Sequence, residues 1–375
     1  MNADLKVYKQ LQLFSDINKD DYKLDFYRDV DNVTPIRDYN VVELFAGAGG
    51  MSLGFEQAGL KNIGNFEIDK DACETLKLNR PDWNVVQGDL NLIAEEGIRN
   101  YLQTDCNVDI VSGGIPCQAF SYAGKGKGIA DTRGTLFHPM SIIINELRPK
   151  IFILENVKGL TTHDNGKTLE TMIEVFEDIN YKVQWNVLNA WDYNTAQKRE
   201  RMFMIGINKD LLEYEKMPYK YPSKQIYKPV LKDVLKNVPP SQGRKYSEKK
   251  YNVMKLVPPG GCWVDLPEEI AKEYMKKSYY LGGGKRGMAR RMSWDEPSLT
   301  LTTSPDMKQT ERCHPSEIRP FNVREYARIQ SFPDDWMFSG SMSSQYKQIG
   351  NAVPVNLAKY IALSVIDYLN EYEVK

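Results

Sequence analysis

Two short runs hold residues with the chemistry for covalent catalysis. Cys117 sits in Ser112-Gly113-Gly114-Ile115-Pro116-Cys117-Gln118-Ala119-Phe120-Ser121, and a carboxylate opens Glu155-Asn156-Val157. A lone cysteine is most often a small buried apolar residue. A cysteine and an acid on one edge of a sheet can do more. A thiolate adds to an electron-poor ring carbon while the acid protonates a ring nitrogen, and the ring then attacks an electrophile. A free thiol with a pKa of about 8.5 is only a small fraction thiolate at neutral pH, so nearby positive charge is needed. Gln197-Lys198-Arg199-Glu200-Arg201 supplies it, and two arginines one residue apart in a strand point to the same side. Without the cysteine and the acid, this run would read as a solvated charged stretch.

These residues must be carried by a scaffold, and its pattern is visible. Apolar runs at 41–45, 63–68, 84–87, 109–112, 151–154, 183–188 and 202–207 alternate with helix-period stretches at 51–58, 72–78, 140–147 and 169–179. This predicts an α/β fold with a mostly parallel, Rossmann-like sheet and helices on both faces. Such sheets bind ligands at the carboxyl ends of their strands, where Cys117 and Glu155 fall. Beyond residue 210 the alternation stops. Tyr, Lys, Pro and Gly dominate to about residue 318, including Pro258-Pro259-Gly260-Gly261 and Gly282-Gly283-Gly284, so a loop-rich region with short strands is expected. Helical periodicity returns at 348–372. The expected division is an extension at 1–40, a catalytic domain at 41–215, a smaller domain at 216–318, a hinge and support at 319–346, and a C-terminal helix at 347–375 returning to the first domain.

The first strand runs into Glu43-Leu44-Phe45-Ala46-Gly47-Ala48-Gly49-Gly50, a turn whose glycines let backbone approach a ligand at a helix N-terminus. Glu67, at the end of the next strand, can accept the two hydroxyls of a ribose. Ser52 stands where a dinucleotide fingerprint needs its third glycine, which favours a phosphate-free adenosine cofactor, S-adenosylmethionine. Asp89 can hold an adenine amino group or simply cap a turn.

The net charge is −1, yet the stretch 216–291 holds 18 Lys or Arg against 6 Asp or Glu. One region is basic and the remainder acidic, the distribution a polyanion partner requires. The five cysteines form no Cys-x-x-Cys pair, so neither a metal site nor a disulfide framework is expected. No signal peptide opens the chain and no membrane partner is expected, which places it in the cytosol with its substrate.

In order and content these motifs closely resemble the cytosine-5 DNA methyltransferase family, over residues 41–362. The resemblance implies methyl transfer from S-adenosylmethionine to carbon 5 of a cytosine flipped out of double-stranded DNA, through a Cys117 adduct at carbon 6. It implies Cys117, Glu155, Arg199 and Arg201 as catalytic residues, the two arginines orienting the base. For the cofactor it implies Phe45, Ala46, Gly47, Gly49, Gly50, Glu67, Ile68, Asp89, Leu90, Pro116, Leu136, Asn351 and Val353. The run Arg324-Glu325-Tyr326-Ala327-Arg328-Ile329-Gln330-Ser331-Phe332-Pro333 resembles the motif supporting the recognition domain, and 121–136 the loop that closes over the base. Ile115 stands where many relatives carry an aromatic residue, and Thr195-Ala196 replaces a common Ile-Pro.

The basic region is then the target-recognition domain. Gln118, Ser121, Arg286, Arg290, Arg291, Thr300 and Leu301 are expected at DNA, with Thr300-Leu301 matching the family's Thr-Leu signature. Lysines and arginines there would meet phosphates and a few side chains would read base edges. An RNA cytosine-5 methyltransferase on the same scaffold, a nicotinamide-dependent oxidoreductase and an inactive DNA-binding regulator fit less of this pattern. By family habit a monomer with a cognate restriction endonuclease is expected; the recognition sequence is not readable.

Overall fold

The computed structural model describes residues 26–115, 137–210, 218–280 and 287–374. Its main sheet has seven strands: β1 Asn40–Leu44, β2 Lys61–Glu67, β3 Val85–Gln87, β4 Ile110–Gly114, β5 Ile151–Val157, β6 Tyr181–Asn189 and β7 Glu200–Asn208. All seven coincide with the expected apolar runs. They lie in the order β3-β2-β1-β4-β5-β7-β6. β1 to β5 are parallel, and β7 runs antiparallel between β5 and β6. The chain moves outward from β1 to β3 and restarts on the other side at β4, so a crevice opens at the carboxyl ends of β1 and β4.

Two-residue alternation sorts the strand side chains onto two cores. Val41, Ile110, Ile151, Ile153, Phe203, Ile205 and Ile207 face helices α1 (Gly50–Ala58) and α10 (Val355–Glu373). Val42, Val111, Phe152, Leu154, Met202 and Met204 face α4 (Phe137–Leu147) and α5 (Lys167–Asp178). Burial on both faces explains why β5 reads as a continuous apolar run. Between these helices come α2 (Lys70–Asn79) and α3 (Leu90–Glu96). The sequence pattern did not show α3. Asp89 caps it, accepting from the Asn91 backbone N–H at 2.9 Å, so the turn-capping role is present.

The basic region carries α6 (Glu248–Lys255) and α7 (Glu268–Met275) around a small apolar cluster that includes Met254, Val257, Ala289 and Cys313. Its regular elements are thus mostly short helices. A two-residue strand, Ser298–Leu299, pairs with Gln197–Lys198. After it come α8 (Val323–Ile329), α9 (Met342–Asn351) and α10.

The helix expected at 348–372 is two helices. Pro354 has no N–H to donate and drives Ala352-Val353 towards extended backbone, so α9 ends at Asn351 and α10 restarts at Val355. The stretch Met342–Glu373 is long and apolar enough to cross a bilayer, but 72% of its most apolar window is buried inside the protein. The described part of the extension at 1–40 adds a two-residue strand, Tyr27–Arg28, beside Tyr221–Pro222. Arg28 pairs there with Asp367 and Glu371 of α10.

Candidate active site

The edge formed by β4 and β5 is set by sheet register, which places Gly114 opposite Glu155. A side chain at Gly114 would press on the Glu155 carboxylate, 3.2 Å from its Oε2. Next along β5, Asn156 is buried and donates from Nδ2 to the Ile115 carbonyl at 3.0 Å. This bond braces the backbone immediately before Pro116 and Cys117. Pro116, Cys117, Gln118, Ser121, the loop at 121–136 with Leu136, and Arg286 lie outside the described residues.

Glu155 is 9% exposed and receives Arg201 Nε at 2.8 Å. Burial pushes its carboxyl up from the ordinary range, and the Arg201 and Arg199 guanidiniums only partly offset this. Desolvation likewise works against the Arg201 charge, although a guanidinium keeps its proton. The result is a carboxyl held near positive charge in a dry setting, the environment that keeps an acid able to donate at neutral pH.

Arg199 is 2% exposed, and its Nη atoms donate to the carbonyls of Leu301 and Gly350, each at 2.9 Å. These bonds make it a strut between two segments while its buried Nε is left without a partner, and Arg201 is the one of the pair that bonds Glu155. Leu301 is corrected. Its side chain is buried and its peptide is held at both ends, by Gln197 at the N–H and Arg199 at the C=O. Arg291 braces the basic region internally, donating to the carbonyls of Val257, Pro315 and Ser316. These carbonyls hold the fork that guanine readout needs. Arg290 lies beside Glu296, and Thr300 donates to the Lys198 carbonyl.

The glycine turn follows β1. Phe45 adopts φ 55° and Gly47 φ 55°, a left-handed backbone that glycine takes without strain. A Cβ at Gly47 would meet nothing within 4 Å, so this face is open to a ligand. Gly50 is closed: a Cβ there would lie 2.3 Å from the Val353 carbonyl, which seats the segment after α9 directly on the start of α1. Glu67 is anchored by its own neighbourhood, Oε2 accepting from Gly47 N at 2.8 Å and Oε1 from the amides of Ile68 and Asp69. Beside it Ile68 is 65% exposed, an apolar shelf left in the open. Ala46, Gly49, Leu90 and Val353 are buried behind this face, Leu90 in the core, while Asn351 is exposed. An anchored carboxylate, an open glycine and an exposed isoleucine suit a ribose diol and an adenine ring, so these residues fit S-adenosylmethionine. An open cavity of about 280 Å³ lined by Asn194, Ala196, Val234, Arg328, Ser331, Phe332 and Asn356 shares no residue with this edge.

Sequence reasoning missed the buried carboxyl of Glu43 and the internal pairing of Gln197 with Gln330. Polar residues at intended core positions are the signal for Glu43; Gln197 and Gln330 carry no local signal.

The strand order, the glycine turn and the acid ending β2 define an S-adenosylmethionine-dependent methyltransferase. The comparisons take this further: residues 39–367 match the family model for C-5 cytosine-specific DNA methylase, and the chain belongs to that family. The type II methyltransferase M.Sau96I of Staphylococcus aureus is 62% identical over 97% of this chain and 84% of its own length. M.Eco47II of Escherichia coli is 53% identical over 89% of this chain and 80% of its own length. A solved DNA modification methyltransferase from an E. coli prophage aligns with a TM-score of 0.65 at 25% identity, covering 89% of this chain and all of that one. The S. pombe Dnmt2 methyltransferase, at a TM-score of 0.59 and 16% identity over 89% of this chain and all of that one, shares the fold. The protein is therefore a DNA (cytosine-5)-methyltransferase of the restriction-modification type, and its cofactor is S-adenosylmethionine.

Proposed function

We propose that Cys117 and Glu155 carry the reaction together. The Cys117 thiolate forms a bond to carbon 6 of a cytosine swung out of the duplex, and Glu155 protonates ring nitrogen 3 so that the electron pair moves to carbon 5. S-adenosylmethionine, when bound, supplies the electrophilic methyl group. Once carbon 5 carries the methyl group, its proton is lost to solvent base, the C–H pair re-forms the carbon 5–carbon 6 double bond and expels the Cys117 thiolate, and nitrogen 3 returns its proton to Glu155. Arg201 positions Glu155 and keeps positive charge beside the thiol. Phe45, Gly47, Glu67, Ile68, Asp89 and Asn351 border the cofactor, with Pro116 and Leu136 completing its wall.

The observation that carries this reading is the placement of Glu155. It is buried, paired with Arg201 at 2.8 Å, and in register with Gly114 of β4, the strand from which the chain runs on to Cys117. Residues 41–215 form the catalytic domain, 216–318 the DNA-reading domain and 319–346 its support, with 347–375 returning to the catalytic domain. Gln118, Ser121, Arg286, Arg290 and Thr300 are the residues proposed for contacts to DNA. The relatives' type II names support a protective role in a prokaryotic restriction-modification system; a cytoplasmic monomer acting beside a cognate endonuclease is part of the same proposal.

The test is transfer of labelled methyl groups from S-adenosylmethionine to unmethylated genomic DNA and to total RNA, with bisulfite mapping. Methylated cytosines in one short DNA motif, abolished by Cys117→Ala, are expected. Label confined to RNA, or an active Cys117→Ala protein, would refute the reading.

A further inference from the structure

The helix that leads into the cofactor segment is capped by other parts of the chain. The last turn of any α-helix leaves carbonyls without partners. In α9 those of Ile349 and Gly350, and beyond them Asn351 and Ala352, turn into the protein. Gln330 Nε2 donates to Ile349 at 2.7 Å and Ala352 at 3.2 Å. Arg199 Nη2 donates to Gly350 at 2.9 Å. A cation at this end also meets the negative pole of the helix.

The same side chains reach the basic region. Gln197 Nε2 donates to Gln330 Oε1 at 2.8 Å, and Gln197 Oε1 accepts from Leu301 N at 2.9 Å. Arg199 holds the Leu301 carbonyl. Only one arrangement of the two amides satisfies these bonds. Leu301 N–H can only donate, so Gln197 must turn its oxygen there and its nitrogen to Gln330, whose own nitrogen is then left for the α9 carbonyls. Gln197 and Gln330 are fully buried and Arg199 nearly so, a setting in which a broken bond is not replaced by water. Backbones also meet here: a Cβ at Gly350 would lie 2.2 Å from the Thr302 carbonyl.

We propose that Gln197, Gln330 and Arg199 form a relay of positioning residues that couples DNA engagement by the 216–318 region, transmitted through its buried segment around Leu301, to cofactor binding beside Asn351 and Val353. The inference rests on the reading that Asn351 borders the cofactor. A ligand that orders 351–353 fixes the carbonyls the relay grips. The relay then restrains both polar groups of the Leu301 peptide, so the recognition segment needs less ordering when DNA arrives. By reciprocity DNA must tighten the cofactor by the same factor.

The test uses the full chain, with S-adenosylhomocysteine as the cofactor probe and a duplex fragment already shown to accept methyl groups. The dissociation constant of each is measured alone and in the presence of the other, for the native protein, Gln330→Met and Gln197→Met. In the native protein the two are expected to tighten one another by about tenfold. In either variant each ligand still binds but the mutual factor falls to near one. A relay that only held the fold together would weaken both ligands and lower the melting temperature while leaving that factor intact. Native protein without coupling, or folded variants that retain it, overturns the proposal. Should neither variant fold, hydrogen exchange on the native chain decides: S-adenosylhomocysteine alone is expected to slow exchange at the Leu301 amide, and unchanged exchange overturns the relay. Failure of S-adenosylhomocysteine to bind, or binding that Asn351→Ala leaves unchanged, overturns instead the placement of the cofactor beside Asn351 on which the relay rests.

Discussion

Glu43 offers a quantitative test of the catalytic domain's interior, through its substitution by glutamine. It is 1% exposed, in the middle of β1, and contacts Ser52 Oγ. Ser52 Oγ also lies 2.7 Å from Asn65 Oδ1, which accepts from Asn62 Nδ2 at 2.9 Å, while Asn65 Nδ2 donates to Asn62 Oδ1 at 2.7 Å. Burial, with Glu67 adding a smaller push in the same direction and Ser52 opposing both, raises the Glu43 carboxyl to about 8. Its folded pKa lies above its unfolded value of 4.5, so the folded state binds the extra proton and loses stability as pH rises between the two values. Each pH unit in that window costs about 1.4 kcal/mol, or roughly 3 kcal/mol between about pH 5.5 and 7.5. Glu43→Gln keeps the shape and cannot ionise. Equilibrium urea unfolding of both proteins across this range isolates the term, because every other titration cancels in the difference. The variant is expected to gain on the native protein steadily as pH rises. Parallel stability curves would refute the protonated assignment.

Glu155→Gln preserves the contact with Arg201 but removes the acid, so methyl transfer is expected to fall by about 10² to 10⁴ while the fold is kept; a loss under about tenfold would exclude Glu155 as the proton donor. Because burial raises its pKa, native kcat should decline on the alkaline side as Glu155 ionises, and the residual activity of Glu155→Gln should lack that limb. Gly47→Ala and Gly50→Ala separate ligand contact from packing. Gly47 faces open space with φ 55°, so the Cβ of alanine there should weaken S-adenosylhomocysteine binding by intruding on that face, while backbone strain costs the fold about 1–3 kcal/mol. Gly50→Ala, pressed on the Val353 carbonyl, should lower the melting temperature more than Gly47→Ala, as scanning calorimetry would show. Arg199→Lys should destabilise the fold, since hydrogen bonds from a charged donor contribute about 1.5–3 kcal/mol each and an ammonium cannot span the Leu301 and Gly350 carbonyls as a fork does; an unchanged urea midpoint would count against the strut.

What the sequence reveals and what it hides follows from the range of each interaction. β5 and β7 were legible because both faces are buried, which writes an uninterrupted apolar run into a few neighbouring residues. Glu155 was legible because the end of a strand fixes which edge of the sheet its residues reach. Arg199 was not. Its spacing from Arg201 gives a shared side of the strand, but whether a guanidinium there meets a substrate or a carbonyl depends on Leu301 and Gly350, which arrive from 102 and 151 positions away. The helix break before α10 was written in Pro354, yet the apolar periodicity of α10 continues backward through Gln348 and Ile349 and masked it. Gln197 and Gln330 show the limit most clearly, since their amides meet across 133 positions and each alone is an unremarkable polar residue. A buried amide has to match its neighbour donor to acceptor, so the chain needs both glutamines once it needs either. That requirement places the Leu301 backbone and the backbone of Ile349 and Ala352 on one hydrogen-bonded path, which no local pattern encodes.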